Sequence, residues 1–155
     1  MFDFNVRLCS RTEQGLAELI LRNEWDIALA KRGIIKDEEI RTVSVTATVD
    51  TGAYTLMLDD ETCRKLGLEN TGEQKILTAN GERLLCPVTG PVEITWKDRQ
   101  SVMRAVLVPG LPKILLGLLP LEEMDLVVHP SRHELAGAHG DAIEHIAFYK
   151  ERVSG

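Results

Sequence analysis

The run RTVSVTATV at positions 41–49 alternates at every step, with Val43, Val45, Ala47 and Val49 on one side and Thr or Ser on the other. A side-chain period of two is the mark of a strand with one buried face. This strand runs without interruption into Asp50-Thr51-Gly52, so an apolar strand delivers a carboxylate to a turn. The surrounding pattern is of the same kind. Residues 2–8 (FDFNVRL) alternate, 17–22 and 54–58 read as strands, and Asn80-Gly81 sits between two extended segments within 73–89. Asn-Gly is the strongest short-range hairpin signal, because both residues tolerate positive φ. A second hairpin is expected from 91–96 and 101–110 around the polar turn 97–100, a short buried run at 113–117, and a last small hairpin over 126–135. Helices are few and short: 24–31, which starts after Asn23 and ends before Gly33, then 59–68 with acids in its first turn, and 118–125 with Pro120 near its start. Many short strands with few helices predict an all-β fold, a closed or nearly closed β-barrel.

The length, 155 residues with 44% apolar, suits one domain with its own core. Eighteen basic residues against 24 acidic ones give a formal charge of −6 and no basic stripe, so nucleic acid is not expected as a partner. No apolar run approaches the roughly 20 residues that span a bilayer. The start MFDFNVRLCS lacks the basic-then-apolar order of a signal peptide, so no membrane association and a cytoplasmic location are expected. Cys9, Cys63 and Cys86 are odd in number and lack CxxC spacing, which predicts reduced, half-buried thiols rather than a disulfide framework or a zinc knuckle.

Asp-Thr-Gly alone is a weak signal, since a given tripeptide occurs by chance in roughly a few per cent of chains this long. Asp before Thr-Gly at a strand end is often just a turn whose side chain caps backbone N–H groups. Context strengthens the catalytic reading: Ala53 and a strand follow, and a separate apolar-apolar-Gly element, Leu115-Leu116-Gly117, lies downstream of the Asn-Gly hairpin. The other candidates are weaker. HELAGAH lacks the HExxH spacing of a zinc protease, because Gly137 stands where the second histidine belongs, and no metal or cofactor is expected. His129 and His133 flank PSR and are read as surface residues on two arms of a turn. Cys63 would be a nucleophile only beside a placed histidine, and the acidic runs at 36–39 and 59–61 are solvated helix starts. No GxSxG, P-loop or dinucleotide fingerprint is present.

Together, Asp50-Thr51-Gly52-Ala53, the Asn80-Gly81 hairpin and Leu115-Leu116-Gly117 resemble the retropepsin-like, or retroviral-type, aspartic protease family, over residues 17 to about 136. The region ahead of the Asp strand, LRNEWDIALAKRGIIKDEEIRTV, is similar to uncharacterised bacterial members. The resemblance implies a retropepsin-type barrel domain over 17–136, between an N-terminal extension (1–16) and a C-terminal tail (137–155). It further implies a homodimer in which Asp50 of each chain meets at the twofold axis. Thr51, Gly52 and Ala53 then support the catalytic loop, Leu115, Leu116 and Gly117 pack beneath it, and Ala79, Asn80 and Gly81 form the tip of a flap over the substrate. Chemistry explains the requirement. Two adjacent carboxyl groups share one proton, so one acts as base on a water while the other acts as acid toward the peptide carbonyl and leaving nitrogen. A chain with one such motif obtains its second Asp from a C2-related copy. The expected activity is a metal-free aspartic endopeptidase acting on an extended peptide; the alternative is a non-catalytic retropepsin-fold module that binds peptides or self-associates, and a purely structural barrel is weaker still.

The sequence departs from the viral pattern in two places. Tyr54 and Thr55 stand where an acidic residue usually follows the Asp-Thr-Gly-Ala turn, and Leu118 and Leu119 replace a polar or charged pair after Leu-Leu-Gly. Substrate preference therefore does not transfer. In the viral enzymes the termini interleave in a dimer sheet; FDFNVRL and AIEHIAFY could do so here, or could cover the barrel edge.

Overall fold

The alternation at 41–49 becomes a strand whose inner residues close on a core. The computed structural model describes residues 3–6, 13–78, 80–129 and 134–140. In chain order its elements are β1 (Asp3–Val6), β2 (Glu13–Asn23), α1 (Glu24–Lys31), a 3-10 turn (Asp37–Glu39), β3 (Thr42–Asp50), β4 (Leu56–Leu58) and α2 (Asp60–Leu66). There follow β5 (Asn70–Thr78), β6 (Arg83–Trp96), β7 (Arg99–Leu107), β8 (Leu115–Leu116), α3 (Leu118–Glu123), β9 (Leu126–His129) and β10 (Glu134–Gly137). No helix among the described residues is long and apolar enough to cross a membrane.

The strands pair in the order β1-β5-β6-β2-β3-β8-β4-β7, and a further β6–β7 pairing joins the end of the series back to β6. The fold is thus mostly β, with six strands pairing in a circuit and the β5 arm standing outside it. One hydrophobic cluster fills the circuit, with Leu19, Leu21, Val49, Leu56, Leu58, Val92, Ile94 and Leu116 among its buried members. A second, made of Ala53, Met57, Ile76, Cys86, Val106, Val108, Leu111 and Leu115, lies under the β5–β6 hairpin. That cluster docks the hairpin against the Asp50 loop.

Two expectations are corrected. The segments 83–88 and 91–96, read as separate strands, form one continuous β6 that serves both hairpins. Gly90 and Pro91 suggest a break, but the β6–β7 register shifts between Val88 and Pro91, and the Thr89 hydroxyl accepts the Ala105 N–H at 3.0 Å in place of a ladder bond. Gly90 is also needed for packing, since a Cβ there would meet the Trp25 ring at 3.0 Å. The second correction concerns the thiols: Cys63 and Cys86 are fully buried rather than half-buried.

Strand β2 is longer than the predicted 17–22, starting at Glu13 and passing a register irregularity before Leu16. The N-terminal strand joins the main sheet, pairing parallel with β5 from Asp3 opposite Lys75 to Val6 opposite Thr78. AIEHIAFY and His133 lie outside the described residues.

Helix α1 starts where Asn23 accepts the N–H groups of Trp25 (3.0 Å) and Asp26 (3.2 Å), and the same side chain donates to Leu66 O at 2.9 Å. Asp26 is buried and takes two bonds from the Arg41 guanidinium, at 2.8 and 2.9 Å, plus the Arg41 N–H at 3.0 Å. The guanidinium bonds hold the Asp26 carboxyl below its ordinary 3.8. A depressed folded-state pKa contributes stability that is present above the unfolded value and lost as pH falls through the folded one. Asp26→Asn is therefore expected to cost about 1–3 kcal/mol at pH 7, where charged hydrogen bonds are intact. Urea unfolding of both chains should show that gap closing as the pH drops below the ordinary carboxylate range.

Candidate active site

Asp50 ends β3, where the strand is anchored on both sides: β2 pairs along one edge, and β8 runs parallel along the other with Thr48 opposite Leu115 and Val49 opposite Leu116. The Asp50 side chain has no exposed surface. Its Oδ1 accepts the Gly52 N–H at 2.8 Å, and the Ala53 N–H donates to the Asp50 carbonyl at 3.0 Å. The other oxygen, Oδ2, is buried with no hydrogen-bond partner. A buried carboxylate oxygen left unpaired costs free energy.

The loop after Asp50 is clamped by the second motif. Gly117 N–H donates to Thr55 O (3.1 Å), Leu118 N–H to Ala53 O (2.9 Å) and Leu119 N–H to Tyr54 O (2.8 Å). Leu115 and Leu116 are fully buried, one in each hydrophobic cluster. Gly117 is required by close approach: a Cβ there would lie 2.5 Å from Thr55 O and 2.7 Å from Ala53 O. Sixty-odd residues apart in sequence, Asp50-Thr51-Gly52-Ala53 and Leu115-Leu116-Gly117 lie side by side, joined by these backbone bonds. Thr51 is exposed, Gly52 half-buried and Ala53 buried.

The β5–β6 hairpin closes at Gly81, which has φ 86 and donates its N–H to Thr78 O at 3.0 Å, while Thr78 N–H donates to Glu82 O at 2.8 Å. The Thr78 hydroxyl also contacts Asn80 Oδ1 and accepts the Glu82 N–H at 3.1 Å, so the tip is braced by its own side chains. Asn80 and Gly81 are exposed; Ala79 lies outside the described residues. At the base of this hairpin, against β7 and the segment that follows the Asp50 loop, lies a cleft of about 220 Å3, lined by Tyr54, Thr55, Gln74, Val88, Met103 and Leu119 among others; Asp50 and the hairpin tip are not part of its lining. Gln74 was not foreseen. Its amide Nε2 is buried without a partner, and no sequence pattern distinguishes it from its polar neighbours on β5.

The rival nucleophile is ruled out by burial. Cys63 is 4% exposed, and desolvation, with Asp59 and Asp60 adding to it, pushes its thiol up to about 12. The thiolate is the reactive form, so neither Cys63 nor Cys86, whose thiol burial also raises, should react at neutral pH. A chromogenic disulfide reagent should leave both unmodified in the native protein and modify both after urea unfolding. Among the described residues no group of three or more His, Cys, Asp or Glu side chains forms a metal site.

The mostly β circuit and this clamped Asp-Thr-Gly loop define a class, and comparison gives the family. The model of the family described as "gag-polyprotein putative aspartyl protease" matches residues 37–123, and the chain belongs to this retropepsin-like family. Two solved structures are similar at low identity. One is a retropepsin-like aspartic protease from Rickettsia conorii, 22% identical over 74% of this chain and 86% of that one, with a TM-score of 0.43. The other is a Legionella pneumophila protein of unknown function, 14% identical over 75% of this chain and 90% of that one, also at 0.43. No curated protein matches.

Proposed function

We propose that this chain is a homodimeric aspartic endopeptidase whose Asp50 meets the Asp50 of a second copy, and that the strand circuit is a closed barrel of the family's type. The observation that carries this reading is the Asp50 carboxylate itself, with one oxygen held by Gly52 N–H and the other without a partner. In the dimer the two free oxygens share one proton and hold a water. The ionised partner removes a proton from that water, its oxygen attacks the scissile carbonyl, and the protonated partner donates first to the carbonyl oxygen and then to the leaving nitrogen. Thr51, exposed beside the dyad, reaches the partner's loop, and Gly52 lets the backbone approach. The substrate lies extended under the Asn80-Gly81 tip, with apolar side chains against Val88, Met103 and Leu119. A cytoplasmic setting accords with the free, buried thiols of Cys63 and Cys86.

Full burial of Asp50 in the single chain favours a second reading, a peptide-binding or self-associating module that does not cut. Dilution separates the two. A shared dyad loses specific activity against an unbiased peptide library as dimers dissociate. Cleavage by a monomer, undiminished on dilution, contradicts the shared site, and a well-folded dimer that cleaves nothing between acidic and neutral pH supports the second reading.

A further inference from the structure

We propose that the cleft at the base of the β5–β6 hairpin is a specificity site for one side chain of a bound peptide, an apolar stem ending in an acceptor oxygen, and that Gln74 reads that oxygen. A glutamate side chain fits it best and a glutamine second. This rests on the peptide-binding reading given above and narrows it to the chemistry of one side chain.

Size sets the first limit. The cleft holds about 220 Å3, less than the roughly 300–1,000 Å3 of sites for drug-sized molecules, so it takes a side chain rather than a whole small molecule. Its described lining comes from one chain and does not include Asp50, so the occupant sits apart from the carboxylate and needs no second copy. The walls decide the stem. Val88, Met103 and Leu119 offer apolar surface, and the Thr55 hydroxyl is already engaged, donating to Met103 Sδ at 3.5 Å.

Gln74 decides the end group. Alternation along β5 puts it on the face of Ile76, which is buried with Val106 in the second hydrophobic cluster. There its amide Nε2 is buried and makes no hydrogen bond. A buried N–H without an acceptor carries a desolvation penalty, which a ligand oxygen removes. An aliphatic end leaves the penalty in place, and an ammonium end sets a donor against a donor. Charge then separates the two acceptors. Arg104 also lines the cleft, two positions from Val106 on the same face of β7; it is exposed and among the described residues forms no ion pair. No Asp or Glu is among the described lining residues. A carboxylate gains the attraction of Arg104, and a carboxamide does not.

The test uses the full, isotope-labelled chain carrying Asp50→Asn, and as probes the N-acetyl methylamides of glutamate, glutamine, norleucine and lysine. The side-chain amide signal of Gln74, assigned through its own backbone, is followed at neutral pH as each probe is added. The glutamine probe should shift that signal and bind about three- to tenfold tighter than the norleucine probe, the gain of one hydrogen bond. The glutamate probe should bind about two- to fivefold tighter again, an increment that Arg104→Gln removes and added salt reduces. In Gln74→Leu the glutamine and norleucine probes should bind alike. Urea unfolding of that variant should show a chain at least as stable, because an unpaired buried amide has gone; a Gln74 that only holds the fold together would make it less stable. Norleucine binding as tightly as glutamine, lysine binding best, or no probe moving the Gln74 signal overturns the proposal. Should Gln74→Leu fail to fold, the signal and the order of probes in the Gln74 chain decide alone. Binding here needs neither cleavage nor a dimer. A chain that seats these probes but never cuts contradicts the protease reading and leaves the specificity site standing, whereas a chain that cuts peptides with no probe reaching Gln74 does the reverse.

Discussion

Asp50→Asn is expected to abolish peptide cleavage while leaving the chain folded. Acid-base catalysis by a placed side chain contributes roughly two to four orders of magnitude, and in the proposed dyad the same residue supplies both acid and base, so the loss should reach at least the upper part of that range. The fold should tolerate the change. Asparagine keeps an oxygen to accept the Gly52 N–H, now made to Oδ1 at 2.8 Å, and exchanges one buried unpaired oxygen for an amide. The unfolding free energy should move by less than about 1 kcal/mol, whereas Asp50→Ala, which also removes the Gly52 bond, should cost about 1 kcal/mol more. Cleavage assays beside urea unfolding curves of the three chains check both statements.

The second large effect is at Gly117. Its missing Cβ makes room for Thr55 O, Ala53 O and Thr55 N, all within 2.8 Å of where a methyl would sit, and all backbone atoms. No flexible side chain can yield, so in Gly117→Ala the Asp50 loop and the Leu115–Leu116 strand must move apart. Overpacking of this kind costs about 1–3 kcal/mol, and it strains the three bonds from Gly117, Leu118 and Leu119 that hold the loop. Activity should fall by more than the stability loss explains, because the displaced backbone carries Asp50, the acid-base residue of the proposed dyad. Gly72→Ala is the control: nothing lies within 4 Å of its Cβ position, and its stability should change by no more than about 0.5 kcal/mol.

Much of this site is legible in sequence because its parts are local. The strand of 42–50 declares itself by alternation, the Asp-Thr-Gly turn by position at its end, and the hairpin by Asn80-Gly81 with its positive φ at Gly81. Leu115-Leu116-Gly117 is legible as a buried run with a glycine, although only the structure shows that the glycine is required by two carbonyl oxygens. What escaped is non-local. The continuity of β6 through Gly90-Pro91 depends on a hydroxyl from Thr89 reaching Ala105, a partner sixteen positions away. Arg99, 3% exposed, reads as a surface turn residue, yet its guanidinium donates to the carbonyls of Met124 and Asp125 at 2.8 and 2.9 Å and to Gly140 O. Those acceptors exist only once the C-terminal hairpin has folded back. The partner of β1 likewise could not be read, because alternation predicts a strand and its buried face but not which edge it joins.

The central claim is that each active site takes one Asp50 from each of two chains. Mixing wild-type and Asp50→Asn chains at fixed total concentration, after dissociation and reassembly, tests it most directly. A shared dyad predicts activity proportional to the square of the wild-type fraction, about one quarter at an equal mixture, because mixed dimers carry a single carboxylate. Activity that falls in simple proportion, to about one half, would mean that each chain cuts alone and would contradict the account.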